Sequence, residues 1–209
     1  MAITLNGDGT VTGLTALPDG LVTSDDLAGS IAISKLATTG SASSSTFLDG
    51  SGAWASAGGG KVLQVVQDTL TAVFTTTSTS YAAITGLSVS ITPSATSSKI
   101  LLMGFIGYGG QSAANIFMGL FRDSTELLVG DAYSSAPRSF AQFAGRNTNS
   151  QAGFSPMYLD SPSSTSALVY AVKTYSEGSS YTVYINQCQE DATTHGRTAS
   201  TLMAMEIGA

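Results

Sequence analysis

The stretch TGLSVSITPSATSSKILLMGFIGYGG, residues 85–110, decides the fold class. In its first part Leu87, Val89 and Ile91 alternate with small polar residues, which is the pattern of a strand with one buried face. Pro93 ends this strand because proline cannot donate a ladder hydrogen bond. In its second part, residues 100–106 carry apolar side chains on both faces. We expect that strand to be covered on both sides, by a second sheet and by a neighbouring subunit.

The sequence on either side of this stretch repeats the same signals. Residues 116–131 predict a hairpin that turns at Asp123 and Ser124, and residues 168–176 and 181–189 predict a second pair joined by residues 177–180. Residues 200–207 alternate again. Short strands separated by Gly, Ser, Asp and Pro, with no convincing amphipathic helix, predict an all-β domain, a β-sandwich of the jelly-roll kind.

The composition changes at Gly58-Gly59-Gly60, which predicts a flexible joint. Residues 1–60 contain short apolar pieces broken by turn dipeptides such as Asn6-Gly7, and no piece has enough apolar surface to fold alone. Residues 1–60 are therefore either a disordered leader or an extended segment that orders against other copies or a partner. Residues 61–209 form the predicted β-sandwich domain.

Charge is scarce along all 209 residues. Only 11% are charged, the net charge is −6, and no basic cluster exists that could neutralise nucleic-acid phosphates. No apolar run is long enough for a membrane helix, and the first residues lack the features of a signal peptide. We expect no nucleic-acid partner and no membrane insertion. A surface with so few charges favours burial in an assembly.

The sequence contains few residues of the types used in catalysis. His195 is the only histidine and Cys188 the only cysteine, so one chain cannot supply a zinc site. We expect His195 in a surface loop, Cys188 as a small buried side chain, and no catalytic residue, metal or cofactor. Acids in predicted turns, at Asp123, Glu126, Asp131 and Asp160, leave a hydrolase open as a further alternative.

Two long loops are the candidate binding regions, residues 130–156 and 189–197. Aromatic rings beside amide and guanidinium donors suit sugars, by stacking and by hydrogen bonds to hydroxyl groups. Within the first loop, Phe140 and Phe143 alternate as in one more core strand. The candidate receptor-facing residues are Tyr133, Arg138, Arg146, Asn147, Asn149 and His195.

The segment SSSTFLDGSGAWA, residues 43–55, resembles a signature found in fibres of tailed bacteriophages, at junctions between shaft and distal domain. LPDGLVTSDDLAGSIAISKLA at residues 17–37 is similar to the leader before a C-terminal domain of phage virion and tail-fibre proteins. LDSPSSTSALVY at residues 159–170 and GRTASTLMAMEI at residues 196–207 resemble parts of that domain. The resemblance extends from about Leu17 to Ile207.

This resemblance implies a homotrimeric, non-enzymatic virion fibre or fibre tip that attaches to the host surface, often through polysaccharide. It implies assembly in the host cytoplasm and an N-terminal segment that contacts other virion proteins of the tail, baseplate or capsid. In a trimer, three copies of Phe47, Leu48 and Trp54 would meet around an axis. The alternatives are an architectural virion protein without a receptor, such as a head decoration or tail adaptor, and a glycan depolymerase.

Overall fold

The computed structural model describes residues 4–5, 11–12, 41, 43, 46–49, 51–56, 62–111, 114–144 and 148–208. These residues form strands, turns and loops, and for them the prediction of an all-β fold is confirmed. Within the same ranges no helix is present that could cross a membrane. The chain divides into two compact units, Met1–Ala57 and Gly58–Ala209.

The described strands of the first unit form two small antiparallel pairs. β1 (Thr4–Leu5) pairs with β2 (Val11–Thr12), on either side of the predicted turn residues. β3 (Thr46–Leu48) pairs with β4 (Trp54–Ser56), and this register places Leu48 opposite Trp54. The segment that resembles the fibre signature therefore contains a hairpin.

The second unit contains two antiparallel sheets. Its strands are β5 (Val62–Leu70), β6 (Phe74–Thr76), β7 (Ala82–Ile91), β8 (Lys99–Gly110), β9 (Asn115–Arg122), β10 (Thr125–Leu127), β11 (Ala141–Ala144), β12 (Ala152–Phe154), β13 (Met157–Asp160), β14 (Leu168–Ser176), β15 (Val183–Ile185) and β16 (Ser200–Ile207). One sheet has the order β10-β9-β14-β7, with β11 also paired to β9. The other has the order β5-β16-β8-β15-β6, with β12 and β13 also paired to β8.

The strand β7 has the predicted alternation. Leu87, Val89 and Ile91 are buried, whereas Ser88 and Ser90 between them are exposed. The buried side chains join one core to which both sheets contribute, β9 and β14 from one sheet and β8, β15 and β16 from the other. A core shared between two antiparallel sheets is consistent with a β-sandwich.

The strand β8 differs in part from its prediction. Ile100, Leu102 and Ile106 are fully buried in the shared core. On the opposite face Leu101 and Met103 are only half-buried and Phe105 is exposed. Within a single chain, residues 100–106 of β8 are therefore covered on one face and open on the other.

One of the two predicted hairpins is confirmed. β9 and β10 pair through a turn in which Asp123 has a φ of 53°. The predicted pairing of β14 with β15 is wrong, because β14 lies between β7 and β9 in one sheet whereas β15 lies between β8 and β6 in the other. The connection 177–182 therefore crosses between sheets.

A polar cluster links the two sheets. Arg122 of β9 donates two hydrogen bonds from Nη1 to the Asp160 carboxylate of β13, at 3.0 and 2.8 Å. The Tyr170 hydroxyl of β14 donates to the same carboxylate at 2.6 Å. Burial and this bond raise the pKa of Tyr170. Because Asp160 is itself buried, the cluster is a fixed connection between the sheets.

Candidate functional site

The hairpin of residues 46–56 is organised by the side chain of Asp49. Its Oδ1 accepts hydrogen bonds from the Ser51 hydroxyl at 2.6 Å, the Ser51 amide at 2.9 Å and the Ala53 amide at 3.0 Å. The Ser51 hydroxyl first, and then the two amides, lower the pKa of Asp49. Gly52 has a φ of 80°, which a residue with a Cβ rarely adopts. These bonds hold a tight turn with an ionised carboxylate inside it.

The hairpin presents apolar side chains outward. Phe47 is 49% exposed and Leu48 is 40% exposed, while Trp54 is half-buried. Among the described residues, none of the hairpin belongs to the buried core shared by the two sheets. The structure brings Leu48 and Trp54 opposite each other, as a shared apolar contact would need. Their role in trimerisation stays a prediction.

Two of the loops that contain candidate receptor-facing residues lie together. The Glu190 amide donates to the Thr148 carbonyl at 2.7 Å, and the Thr198 hydroxyl donates to Gln151 Oε1 at 3.1 Å. The Gln151 side-chain amide also donates to the Gly196 carbonyl. These bonds join the segment that contains Asn149 to the segment that contains His195. We call residues 148–151 and 189–198 the loop cluster.

An open depression of about 320 Å³ lies in the loop cluster. It is lined by Asp191, Ala192, Thr193, His195 and Arg197. The Arg197 guanidinium and the Asp191 carboxylate form an ion pair, in which Nε lies 3.2 Å from Oδ1. A volume of this size is at the lower end of the ~300–1,000 Å³ range of ligand sites.

The ring of His195 has a defined orientation. Its Nδ1 lies 2.6 Å from the Glu190 carbonyl oxygen. A carbonyl can only accept, so Nδ1 is the donor in this hydrogen bond. The depression therefore combines an imidazole ring, a threonine hydroxyl and an ion pair, which are groups that can exchange hydrogen bonds with sugar hydroxyls.

The other candidate residues are distributed differently. Tyr133 and Arg138 lie on the loop between β10 and β11, where both are exposed and Arg138 Nε donates to the Gly130 carbonyl at 2.6 Å. Asn149 is exposed in the loop cluster. Arg146 and Asn147 lie outside the described residues. Phe143 lies in β11 and packs on the core, as predicted, whereas the prediction is wrong for Phe140, which lies just before β11.

The acids expected in turns are partly in strands. Glu126 lies in β10, where it accepts a hydrogen bond from the Tyr81 hydroxyl at 2.6 Å, and Asp160 ends β13 in its pair with Arg122. Burial and the bond to Glu126 raise the pKa of Tyr81. The expectation that both fall in turns is therefore wrong, because each is built into a strand by a specific partner.

The sequence pattern indicated His195 but not the other residues of the depression. Asp191 and Arg197 flank His195 in the sequence with opposite charges, and the structure pairs them. Cys188 is buried as predicted, although it follows β15 instead of lying in a strand. The chain matches no known protein-family model, and no curated protein is significantly similar to it in sequence.

Proposed function

We propose that this chain is a structural and adhesive protein of a tailed-bacteriophage virion, a homotrimeric fibre or fibre tip whose second unit is a jelly-roll-like sandwich. The observation that carries the proposal is the hairpin of residues 46–56, in which Phe47 and Leu48 are exposed and whose described residues contribute nothing to the buried core. This is the segment that resembles the fibre signature, and residues 1–40 before it would contact other virion proteins.

The free energy of apolar burial supports trimerisation at the hairpin. Leu48 lies opposite Trp54 on one face of the hairpin, whereas Phe47 lies opposite Ala55 on the other face. Covering the exposed part of Leu48 on the Trp54 face contributes about 1 kcal/mol for each chain, and three copies would be covered together. Burial of Phe47 would need a second contact. The ordering cost is reduced because the Asp49 hydrogen bonds already fix the turn. The hairpin would thus enter the assembly preformed.

Size-exclusion chromatography with light scattering tests the trimer. We expect a mass near three chains, and we expect Trp54→Ala and Leu48→Ala to shift the protein towards smaller species without loss of the sheet signal in circular dichroism. Val169→Ala is the matched control, because Val169 is an exposed strand residue of the second unit. A stable wild-type monomer would contradict the proposal.

We place receptor binding at the loop cluster, with host-surface polysaccharide as the ligand class. The support is the depression around His195 and the exposed Asn149 in the same loop cluster. Binding of the isolated protein to extracted host polysaccharide, measured by calorimetry, tests this role. We expect His195→Ala and Asn149→Ala to weaken binding, whereas Ser179→Ala, in an exposed turn outside the cluster, leaves it unchanged.

One observation favours the alternative of an architectural virion protein without a receptor. The ionic groups of the depression, Asp191 and Arg197, already pair with each other, and among the described residues no Phe, Tyr or Trp ring lines it. A protein that assembles as a trimer and does not bind host cells or their polysaccharide would support this alternative. Release of reducing sugar from the polysaccharide would instead indicate a depolymerase.

A further inference from the structure

The outer face of the larger sheet contains two rows of apolar side chains across four strands. In one row Val65 of β5 lies opposite Met205 of β16, which lies opposite Leu101 of β8, and Leu159 of β13 completes the row. In the next row Met203, Met103 and Met157 lie side by side on β16, β8 and β13. We call these seven residues the apolar sheet face.

The apolar sheet face is open in the single chain. Met157 is 68% exposed, Val65 is 51% exposed and Leu159 is 47% exposed, while the other four are half-buried. The exposed apolar area is on the order of 400 Å², which lies within the ~300–600 Å² of the largest apolar patch on a typical monomer, a patch that is often functional. A standard interface covers about 800 Å² per partner, of which roughly 57% is apolar. The apolar sheet face therefore has about as much exposed apolar area as one partner contributes to a standard interface.

Charge does not prevent two such faces from meeting. None of its seven residues is ionisable, and the outward positions that flank them include Thr201 and Gln67. Lys99 at one end donates to the Ser161 hydroxyl at 2.9 Å and is exposed at the margin. A second copy could cover this surface without burying an unpaired charge, which is the costly step in association.

The side-chain types also suit contact with another protein surface. The chain has six methionines, and four of them belong to the apolar sheet face. Methionine adapts its shape to an opposing surface because it is unbranched and polarisable. Phe105, whose ring covers Gly153, extends the same surface beyond the second row.

We infer that the apolar sheet face packs against another copy of this chain. This inference rests on the proposed homo-oligomer and names a surface that the hairpin does not include. Once copies are joined at the hairpin, only residues 57–61 separate β4 from β5 in sequence, so the covalent connection raises the effective concentration of each face for its neighbour. A neighbouring copy in the same oligomer is therefore the partner present at the highest effective concentration.

Charge substitution tests the inference in the full chain. We expect the double variant Val65→Lys with Leu159→Lys to raise the dissociation constant of the oligomer by roughly tenfold or more, measured by sedimentation velocity over a concentration series. Val169→Lys is the matched control, because Val169 is 43% exposed on a strand of the other sheet. It should leave the dissociation constant unchanged.

Methionine oxidation tests the same surface in the unmodified chain, and it remains informative if a lysine variant fails to fold. Hydrogen peroxide converts exposed methionine to its sulfoxide. We expect Met157 to oxidise several-fold more slowly in the oligomer than in a Trp54→Ala variant diluted to monomer. Met118, which is fully buried in the core, is the internal reference.

The outcomes separate this inference from the proposed function. An oligomer that Trp54→Ala dissociates, but that the lysine pair does not weaken and in which Met157 oxidises at the monomer rate, would overturn the inference and leave the hairpin trimer standing. An oligomer weakened by the lysine pair but not by Trp54→Ala would support the inference and contradict the role of the hairpin. A monomeric wild type would overturn both.

Discussion

The carboxylate of Glu206 allows a sharp prediction about the stability of the second unit. Glu206 lies on the inner side of β16 and is 1% exposed. Its Oε1 accepts hydrogen bonds from the Ser94 amide at 2.7 Å and the Ser94 hydroxyl at 2.6 Å, and its Oε2 accepts one from Gln64 Nε2 at 2.6 Å. The carboxylate thus connects β16 to β5 and to the segment between β7 and β8.

The substitution Glu206→Gln keeps the size of the side chain but removes one acceptor. Whichever way the new amide is oriented, its NH₂ group faces a donor, either Ser94 or Gln64. Leaving a buried donor unsatisfied costs ~1–3 kcal/mol, and the remaining hydrogen bonds lose their ionic character. We expect the free energy of unfolding to fall by about 2–4 kcal/mol and Tm by roughly 5–15 °C.

The effect should depend on pH. Burial by itself would raise the pKa of Glu206, but the hydrogen bonds from Ser94 and Gln64 outweigh it and lower the pKa from 4.5 to about 2. A pKa that is lower in the folded protein than in the unfolded chain stabilises the fold above pH 4.5, and this stabilisation is lost as the pH falls towards 2. The difference between wild type and variant should therefore shrink over that interval.

Urea unfolding followed by circular dichroism, at one protein concentration and at several pH values, measures this difference. Glu177→Gln is the control, because Glu177 is exposed and accepts one hydrogen bond from Asn115. The control should change the free energy of unfolding by less than about 0.5 kcal/mol. A Glu206→Gln effect no larger than the control, or one that is constant from pH 7 to pH 2, would refute this reasoning.

Three further predictions concern other fixed points of the fold. Asp160→Ala should destabilise the second unit by ~3–5 kcal/mol in urea unfolding, because it leaves Arg122 without its buried partner. Gly109→Ala should lower Tm, since its Cβ would lie 2.6 Å from the Gln187 carbonyl oxygen, whereas Gly196→Ala meets no neighbouring atom and should not. Asp49→Ala should reduce the oligomer fraction in light scattering, because the hairpin loses three hydrogen bonds; an unchanged fraction would show that the turn need not be preformed.

Local sequence patterns predicted where the strands of this fold lie better than they predicted which strands pair with each other. Strand β7 was predictable because its burial follows the alternation of its own residues, and the β9–β10 hairpin because its turn lies between adjacent strands. The sheet to which β15 belongs was not predictable from the sequence. A short polar connection such as residues 177–180 can join two paired strands, but it can equally lead from one sheet to the other. Both edges of β14 pair with strands that are far from it in sequence, β7 and β9, and a local sequence pattern does not specify such pairings.

The candidate site was predictable as a pair of loops but not as a set of contacts. Polarity and length indicated the segments with Asn149 and His195, and the structure joins them through Glu190 and Thr148. The partners of Asp191 and Arg197 depend on how the loop turns, which composition does not specify. The Asp49 turn could have been found, since an Asp followed by Gly-Ser-Gly is a known Asx-turn signal.

The single thiol of the chain gives it a built-in reporter of opening. Cys188 is 2% exposed, and its Sγ donates to the Glu190 carbonyl at 3.1 Å. A thiol reagent can therefore modify the native chain only after the segment that follows β15 moves away from the sandwich. The rate of modification in the absence of denaturant would therefore report how often this segment opens, without the need to introduce a cysteine by mutation.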